Sequence, residues 1–201
     1  MRRFEGERLV VATHNKGKLE EIRALFQGRA LTIVSAGELG LPEPAETETT
    51  FVGNARIKAH AAARASGEVA LADDSGLCVD ALGGAPGVYS ADWAETPEGR
   101  DFGMAMAKVC RMLDEAGAEA ARTARFVSVL VLAWPDGHDE VFQGSIDGRI
   151  VCPGRGENGH GYDPIFLPDG HDLTFGEMDR WEKNRLSHRG RAFGALMSCF
   201  T

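Results

Sequence analysis

Residues 9–18 read Leu9-Val10-Val11-Ala12-Thr13-His14-Asn15-Lys16-Gly17-Lys18. An apolar, β-prone run ends in a polar turn, and Leu19, Ile22, Leu25 and Phe26 follow at helical spacing. The pattern predicts a buried strand, a loop, and a helix that starts near Lys18. Leu31-Thr32-Ile33-Val34 predicts a second strand. Phe51, Ala55, Ala59, Ala62 and Ala63 predict an Ala-rich helix running from Thr50 to Gly67. Val69-Ala70-Leu71-Ala72 reads as a short strand that ends in Asp73-Asp74-Ser75-Gly76. After a long Gly/Pro loop, Phe102, Met106, Val109, Cys110 and Leu113 mark an amphipathic helix.

The second half reads differently. Residues 125–134 are rich in Val and Phe, Pro135-Asp136-Gly137 makes a hairpin turn, and residues 140–146 form the return strand. Asp147-Gly148 reads as another turn before Arg149-Ile150-Val151. Thr174-Phe175-Gly176-Glu177 has capping-box spacing. A last helix, with Phe193, Leu196, Met197 and Phe200, begins near Ser187. Strand–helix alternation followed by hairpins predicts an α/β chain built on a mixed sheet flanked by helices.

Composition narrows the function classes. The 201 residues are 43% hydrophobic and 26% charged, which excludes disordered, collagenous and coiled-coil chains. That length suits one domain, or two small lobes sharing a sheet. With 22 Lys+Arg against 30 Asp+Glu, the formal charge of −8 argues against holding nucleic acid by bulk electrostatics. No apolar run reaches the length of a membrane span, and residues 1–7 form a short extension without a signal-peptide core. Cys78, Cys110, Cys152 and Cys199 are widely spaced, with no CxxC pair. They are expected to be free thiols in a reducing, cytoplasmic setting.

Four motifs could carry chemistry. The turn from Thr13 to Lys18 joins a strand to a helix N-terminus and brings two lysines. It is either an anion site or a solvated turn, and it is not a Walker loop. Asp73-Asp74 offers hard carboxylate oxygens suited to Mg²⁺, or is an ordinary turn. Gly154-Arg155-Gly156-Glu157-Asn158-Gly159 matches G-x-G-x-x-G but opens no helix, so it is expected to be a flexible loop rather than a dinucleotide site. Lys183-Asn184-Arg185-Leu186-Ser187-His188-Arg189 is either a solvated connection or a binding surface at the start of the last helix. His60, His138 and His171 are expected at the surface.

In combination these motifs resemble one family. The ordered set is Thr13-x-Asn15-x-Gly17-Lys18, Thr50-Phe51-x-x-Asn54-Ala55, Ala72-Asp73-Asp74-Ser75-Gly76-Leu77, Gly83-Gly84-Ala85-Pro86-Gly87-Val88-Tyr89-Ser90, Gly161-Tyr162-Asp163-Pro164-Ile165-Phe166 and Glu182-Lys183-Asn184-x-x-Ser187-His188-Arg189. It resembles the inosine/xanthosine triphosphate pyrophosphatases from about Leu9 to the C-terminus. The resemblance implies an elongated α/β fold with a long mixed sheet, two lobes and a cleft between them. It also implies a homodimer, Mg²⁺ as cofactor, and hydrolysis of non-standard purine nucleoside triphosphates (ITP, dITP, XTP) to monophosphate and pyrophosphate.

Carried over by position, Thr13, His14, Asn15, Lys16, Gly17 and Lys18 would cradle phosphates, and Lys58 would contact one. Glu46 and Asp74 would hold Mg²⁺, with Asp74 accepting the proton of the attacking water. Ser75 would touch substrate. His160, Gly161, Tyr162, Asp163, Lys183, His188 and Arg189 would form the wall that reads the base. His160 departs from the family, which often has Phe there, and His14 stands where a small residue is common. Two rivals remain: a related pyrophosphatase acting on pyrimidine or modified nucleotides, and a nucleotide-binding module without catalysis.

Overall fold

The computed structural model describes residues 1–117 and 121–200. In chain order the elements are β1 (Arg8–Val11), α1 (Lys16–Leu25), β2 (Thr32–Ser35), α2 (Phe51–Ser66), β3 (Ala70–Val79), β4 (Glu95–Thr96), β5 (Gly99–Arg100), α3 (Phe102–Glu115), β6 (Thr123–Ala133), β7 (Asp139–Ile150), β8 (Phe166–Pro168), α4 (Arg180–Leu186) and α5 (His188–Leu196). Six strands form one mixed sheet in the order β2-β1-β3-β6-β7-β8, and β4-β5 is a separate ribbon. Helices flank the sheet, as the alternating pattern predicts. No helix among the described residues is long and apolar enough to cross a membrane.

The chain divides into two compact units. The first holds Met1–Asp74, Val129–Gln143 and Phe193–Thr201. Here β1 runs parallel to both β2 and β3, and Leu9, Val10 and Val11 are almost wholly buried. Such a strand has two covered faces, hence a continuous apolar run rather than alternation. Thr50 caps α2 by accepting from the Gly53 amide, and Gly67 ends it in a left-handed C-cap. Ala55, Ala59, Ala62 and Ala63 form its buried stripe. The chain ends pack here too: Phe26 meets Phe193 and Phe200 edge-on, Phe4 packs on Phe200, and Phe4 N–H donates to the Cys199 carbonyl. Residues 1–7 are therefore tied down. Arg2 adds an ion pair with Asp136.

The second unit holds Ser75–Ser128 and Gly144–Ala192. Its core gathers Leu77, Val79, Val109, Leu113, Phe126, Ile146, Ile150, Phe166 and Phe175. Two expectations fail here. Asp147-Gly148 is not a turn, because β7 runs unbroken to Ile150. Gly148 pairs with Pro168 of β8, and the Leu167 carbonyl lies so close that no Cβ fits. A strand glycine of this kind marks close backbone approach. The G-x-G-x-x-G loop is also pinned rather than loose: Arg155 N–H donates to the Pro164 carbonyl and Asn158 N–H to that of Gly176.

The cysteine expectation is corrected as well. Cys110 of α3 and Cys152 form a disulfide across 42 residues of sequence, while Cys78 and Cys199 are free. No spacing rule marks the pair, because only the packing of α3 against the segment after β7 brings the sulfurs together. A bridge of this span is worth about 4 kcal/mol by the chain-entropy estimate. Reduction by a dithiol is expected to lower Tm by roughly 10 °C. Thermal melts with and without dithiothreitol, paired with a thiol count under denaturing conditions, check this. An unchanged Tm and four titratable thiols before reduction would contradict it.

Candidate functional site

In the first unit, β1 delivers Thr13 to α1. The Asn15 side chain is the N-cap, and its Oδ1 accepts from the amides of Gly17 (2.8 Å) and Lys18 (3.2 Å). Thr13 Oγ1 accepts from Asn15 N–H at 3.1 Å. Two of the amides expected to be open to an anion are thus capped by Asn15, whose short carboxamide suits that position. Lys18 Nζ donates to both oxygens of Asp73 at 3.1 Å. Lys16 is exposed. His14 turns its imidazole to the Leu41 carbonyl, 2.7 Å away.

Asp73 and Asp74 do not end a strand; they sit in the middle of β3. Their side chains take different lysines. Asp73 meets Lys18 of α1, and Asp74 meets Lys58 of α2 at 3.6 Å. The same Lys58 ammonium lies 2.9 Å from Glu46. Burial alone would lower the Lys58 pKa, but Asp73, Asp74 and Glu46 outweigh it and hold the ammonium above its usual value. Burial pushes the Asp74 carboxyl up to about 6; Lys58 and Lys18 oppose this, and the charges of Glu46 and Asp73 add to it. A carboxylate with that pKa is suited to accept a proton near neutral pH.

The donor set is of the kind Mg²⁺ takes: a few hard carboxylate oxygens, leaving coordination positions for phosphate and water. Among the described residues no three His, Cys, Asp or Glu side chains form a ready-made cage. Glu46 and Asp74, already sharing one cation, are the carboxylates that could hold the ion.

In the second unit, Arg189 opens α5 and places its Nη2 3.4 Å from Ser75 Oγ. The turn at residues 160–163 is built around buried Asp163, which accepts from His160 N–H at 2.6 Å and forms an ion pair with Lys183 of α4. Lys183 Nζ also lies 5.5 Å from the Phe175 ring centre. Gly161 faces Phe102 of α3. Tyr162 is buried and donates its hydroxyl to the Ser90 carbonyl at 2.8 Å, and burial raises the pKa of its phenol. His188 is buried with its ring stacked on Phe126, centroids 4.8 Å apart. His160 is exposed.

The residues expected to form a wall therefore divide. His160, Lys183 and Arg189 carry polar groups that could meet a ligand. Asp163, Tyr162 and His188 hold the scaffold behind them. Gly144 of β7 is part of that scaffold, since α5 approaches it at the His188 carbonyl with no space for a Cβ.

Sequence reasoning assigned no role to Ser90 or Phe126. Ser90 Oγ accepts from Leu77 N–H and donates to the Gly87 carbonyl, which explains why a serine closes the Gly-Gly-Ala-Pro-Gly-Val-Tyr-Ser motif. Phe126 had no local signal, being one of several apolar residues in a strand. The expected surface histidines behave unevenly: His138 is exposed, whereas His60 is partly buried against Asp139 at 2.8 Å.

Comparison with known proteins agrees with the motif order. The chain matches the Ham1 family over residues 9–199. It is 62% identical to the dITP/XTP pyrophosphatase of Ruegeria pomeroyi, covering 99% of this chain and 98% of that one. It is 57% identical to the protein of the same name from Agrobacterium fabrum, covering 96% and 95%. Among solved structures, a HAM1 protein from Coxiella burnetii superposes with a TM-score of 0.90 at 37% identity, covering 97% of this chain and 98% of that one. With sequence, motif order and fold in agreement across nearly its whole length, the chain belongs to the Ham1 family.

Proposed function

We propose that the protein hydrolyses the non-standard purine nucleoside triphosphates ITP, dITP and XTP to monophosphate and pyrophosphate, as a homodimer. The observation that carries this is the Lys58 ammonium shared by Glu46 and buried Asp74, with Lys18 held by Asp73 beside them. Two cations and three carboxylates of this kind suit a metal-bound polyphosphate. The names of the relatives support the substrate class.

In the reaction, water attacks the α-phosphorus and the α–β anhydride bond breaks. Asp74 takes the proton, and pyrophosphate leaves with the bonding electron pair. Lys18 and Lys58 neutralise the phosphate oxygens. Glu46 and Asp74 would hold Mg²⁺, which would supply further charge neutralisation. Arg189 and Lys183 offer only hydrogen-bond donors, which suits the 6-oxo group of inosine and xanthosine. An acidic protein can do this because the positive charge is local.

The test is product identification with ITP, in a panel that includes XTP, dITP, ATP, GTP and pyrimidine triphosphates. The expected products are IMP and pyrophosphate in equal amounts. Orthophosphate released without added pyrophosphatase would overturn the reaction, and a pyrimidine preference would overturn the substrate class.

A further inference from the structure

Glu46 sits on a strap, residues 41–48, that has no regular secondary structure. Something other than a helix or strand ladder must fix its carboxylate. One fixture is the Lys58 ion pair described above. A second follows two residues on, where Glu48 N–H donates to Asn54 Oδ1 at 3.0 Å, and a third lies five residues upstream of Glu46. His14 Nε2 is 2.7 Å from the Leu41 carbonyl oxygen. A carbonyl only accepts, so Nε2 carries the proton and donates. His14 Nδ1 lies 3.8 Å from Glu43 Oε2, a second approach to the same strap.

We propose that His14 is a positioning residue: it latches the strap to the phosphate turn and thereby sets where Glu46 stands. This rests on the function proposed above.

The path from latch to carboxylate is short and stiff. Ala36 N–H donates to the Val11 carbonyl, Gly37 N–H to that of Thr13, and Leu41 N–H to that of Ala36. The backbone of Leu41 is therefore held at both its amide and its carbonyl. Between Leu41 and Glu46 the chain reads Pro42-Glu43-Pro44-Ala45. Each proline fixes its own φ and restricts the residue before it, so Leu41, Pro42, Glu43 and Pro44 are all confined. Such a spacer passes the position of Leu41 on to Glu46 with little slack. Close packing does not replace the latch, because the strap, His14 and Lys58 line a cavity of about 90 Å³. A small residue at position 14 cannot reach the Leu41 carbonyl.

The test compares the full-length wild type with His14→Ala and His14→Gln, the latter keeping a donor. Amide hydrogen exchange, read without nucleotide, is expected to speed up about three- to tenfold over residues 38–48 in His14→Ala, the scale of one net hydrogen bond. Helix α1 and strand β3 stay unchanged, and His14→Gln recovers part of the protection. The Mg²⁺ concentration for half-maximal ITP hydrolysis is expected to rise by a similar factor. Unchanged exchange over residues 38–48 would overturn the latch. So would a raised KM for nucleotide with an unmoved Mg²⁺ requirement, which would make His14 a direct phosphate contact. If His14→Ala loosens β1 as well, the double variant Pro42→Gly/Pro44→Gly decides: it keeps His14, slackens the spacer, and must reproduce the Mg²⁺ shift. A wild type inactive on every triphosphate would remove the proposed function, and the exchange comparison would still judge the latch.

Discussion

Replacing Asp74 with asparagine is expected to leave the protein folded and to lower kcat on ITP by about 10²–10⁴-fold, the usual cost of losing a general base. The amide matches the carboxylate in size, so the packing of β3 survives. It cannot accept the water proton, and it brings no charge to a metal ion. Lys58 keeps Glu46 as a partner at 2.9 Å, so the buried ammonium is not stranded. A melting temperature near that of wild type separates lost chemistry from lost structure. Asp73→Asn is the internal control. Its carboxylate orients Lys18 rather than Lys58, so its removal is expected to cost less. An Asp74→Asn variant within about threefold of wild type would show that another group takes the proton.

Arg189→Ala is expected to collapse the preference for ITP over ATP. A guanidinium offers five donors and no acceptor. Aimed at position 6 of a purine, it accepts the carbonyl of inosine and meets the amino group of adenosine donor to donor. A site built to bond a substrate group can reject the mismatch by up to roughly 10⁴–10⁵-fold. The starting position is right for such a role: Nη2 rests near Ser75 Oγ, and the α5 backbone is seated tightly against Gly144. The check is kcat/KM for both nucleotides with both proteins. Activity on ITP should fall steeply while activity on ATP changes little. An equal loss on both would make Arg189 a phosphate or structural contact.

Much of the fold was legible because its signals are local or periodic. The run Leu9-Val10-Val11 marked a strand with two covered faces. Thr50 and Gly67 bracketed α2 because an N-cap and a left-handed C-cap depend on the residue at that place. The failures share one cause. Asp147-Gly148 has turn chemistry, but its glycine serves a close crossing with β8, which is a non-local demand. Asp73-Asp74 looked like the end of a strand because charge is rare in a strand interior. Lys18 and Lys58 make it tolerable there, and neither is near in sequence. The capping-box residues Thr174 and Glu177 do exchange their two hydrogen bonds, yet the next helix starts only at Arg180. A local motif formed without the element it usually opens.

The candidate site divides the same way. Residue types and motif order alone were enough to pick out the lysines, the paired aspartates and the Ser-His-Arg stretch, and to point to a family. Chemistry of that sort is written in side-chain identity and spacing. Partnership is not. That Lys18 belongs to Asp73, that one ammonium serves both Glu46 and Asp74, and that Asp163 spends its charge on Lys183 and its own turn follow from distances between residues far apart in the chain. So do the burial of His188 on Phe126 and the meeting of Cys110 with Cys152. Hydrogen bonds and ion pairs act over a few ångströms, and burial is a property of the packed whole. Only folding decides which groups come within that range, and so which of the chemically capable residues face a ligand and which hold the others in place.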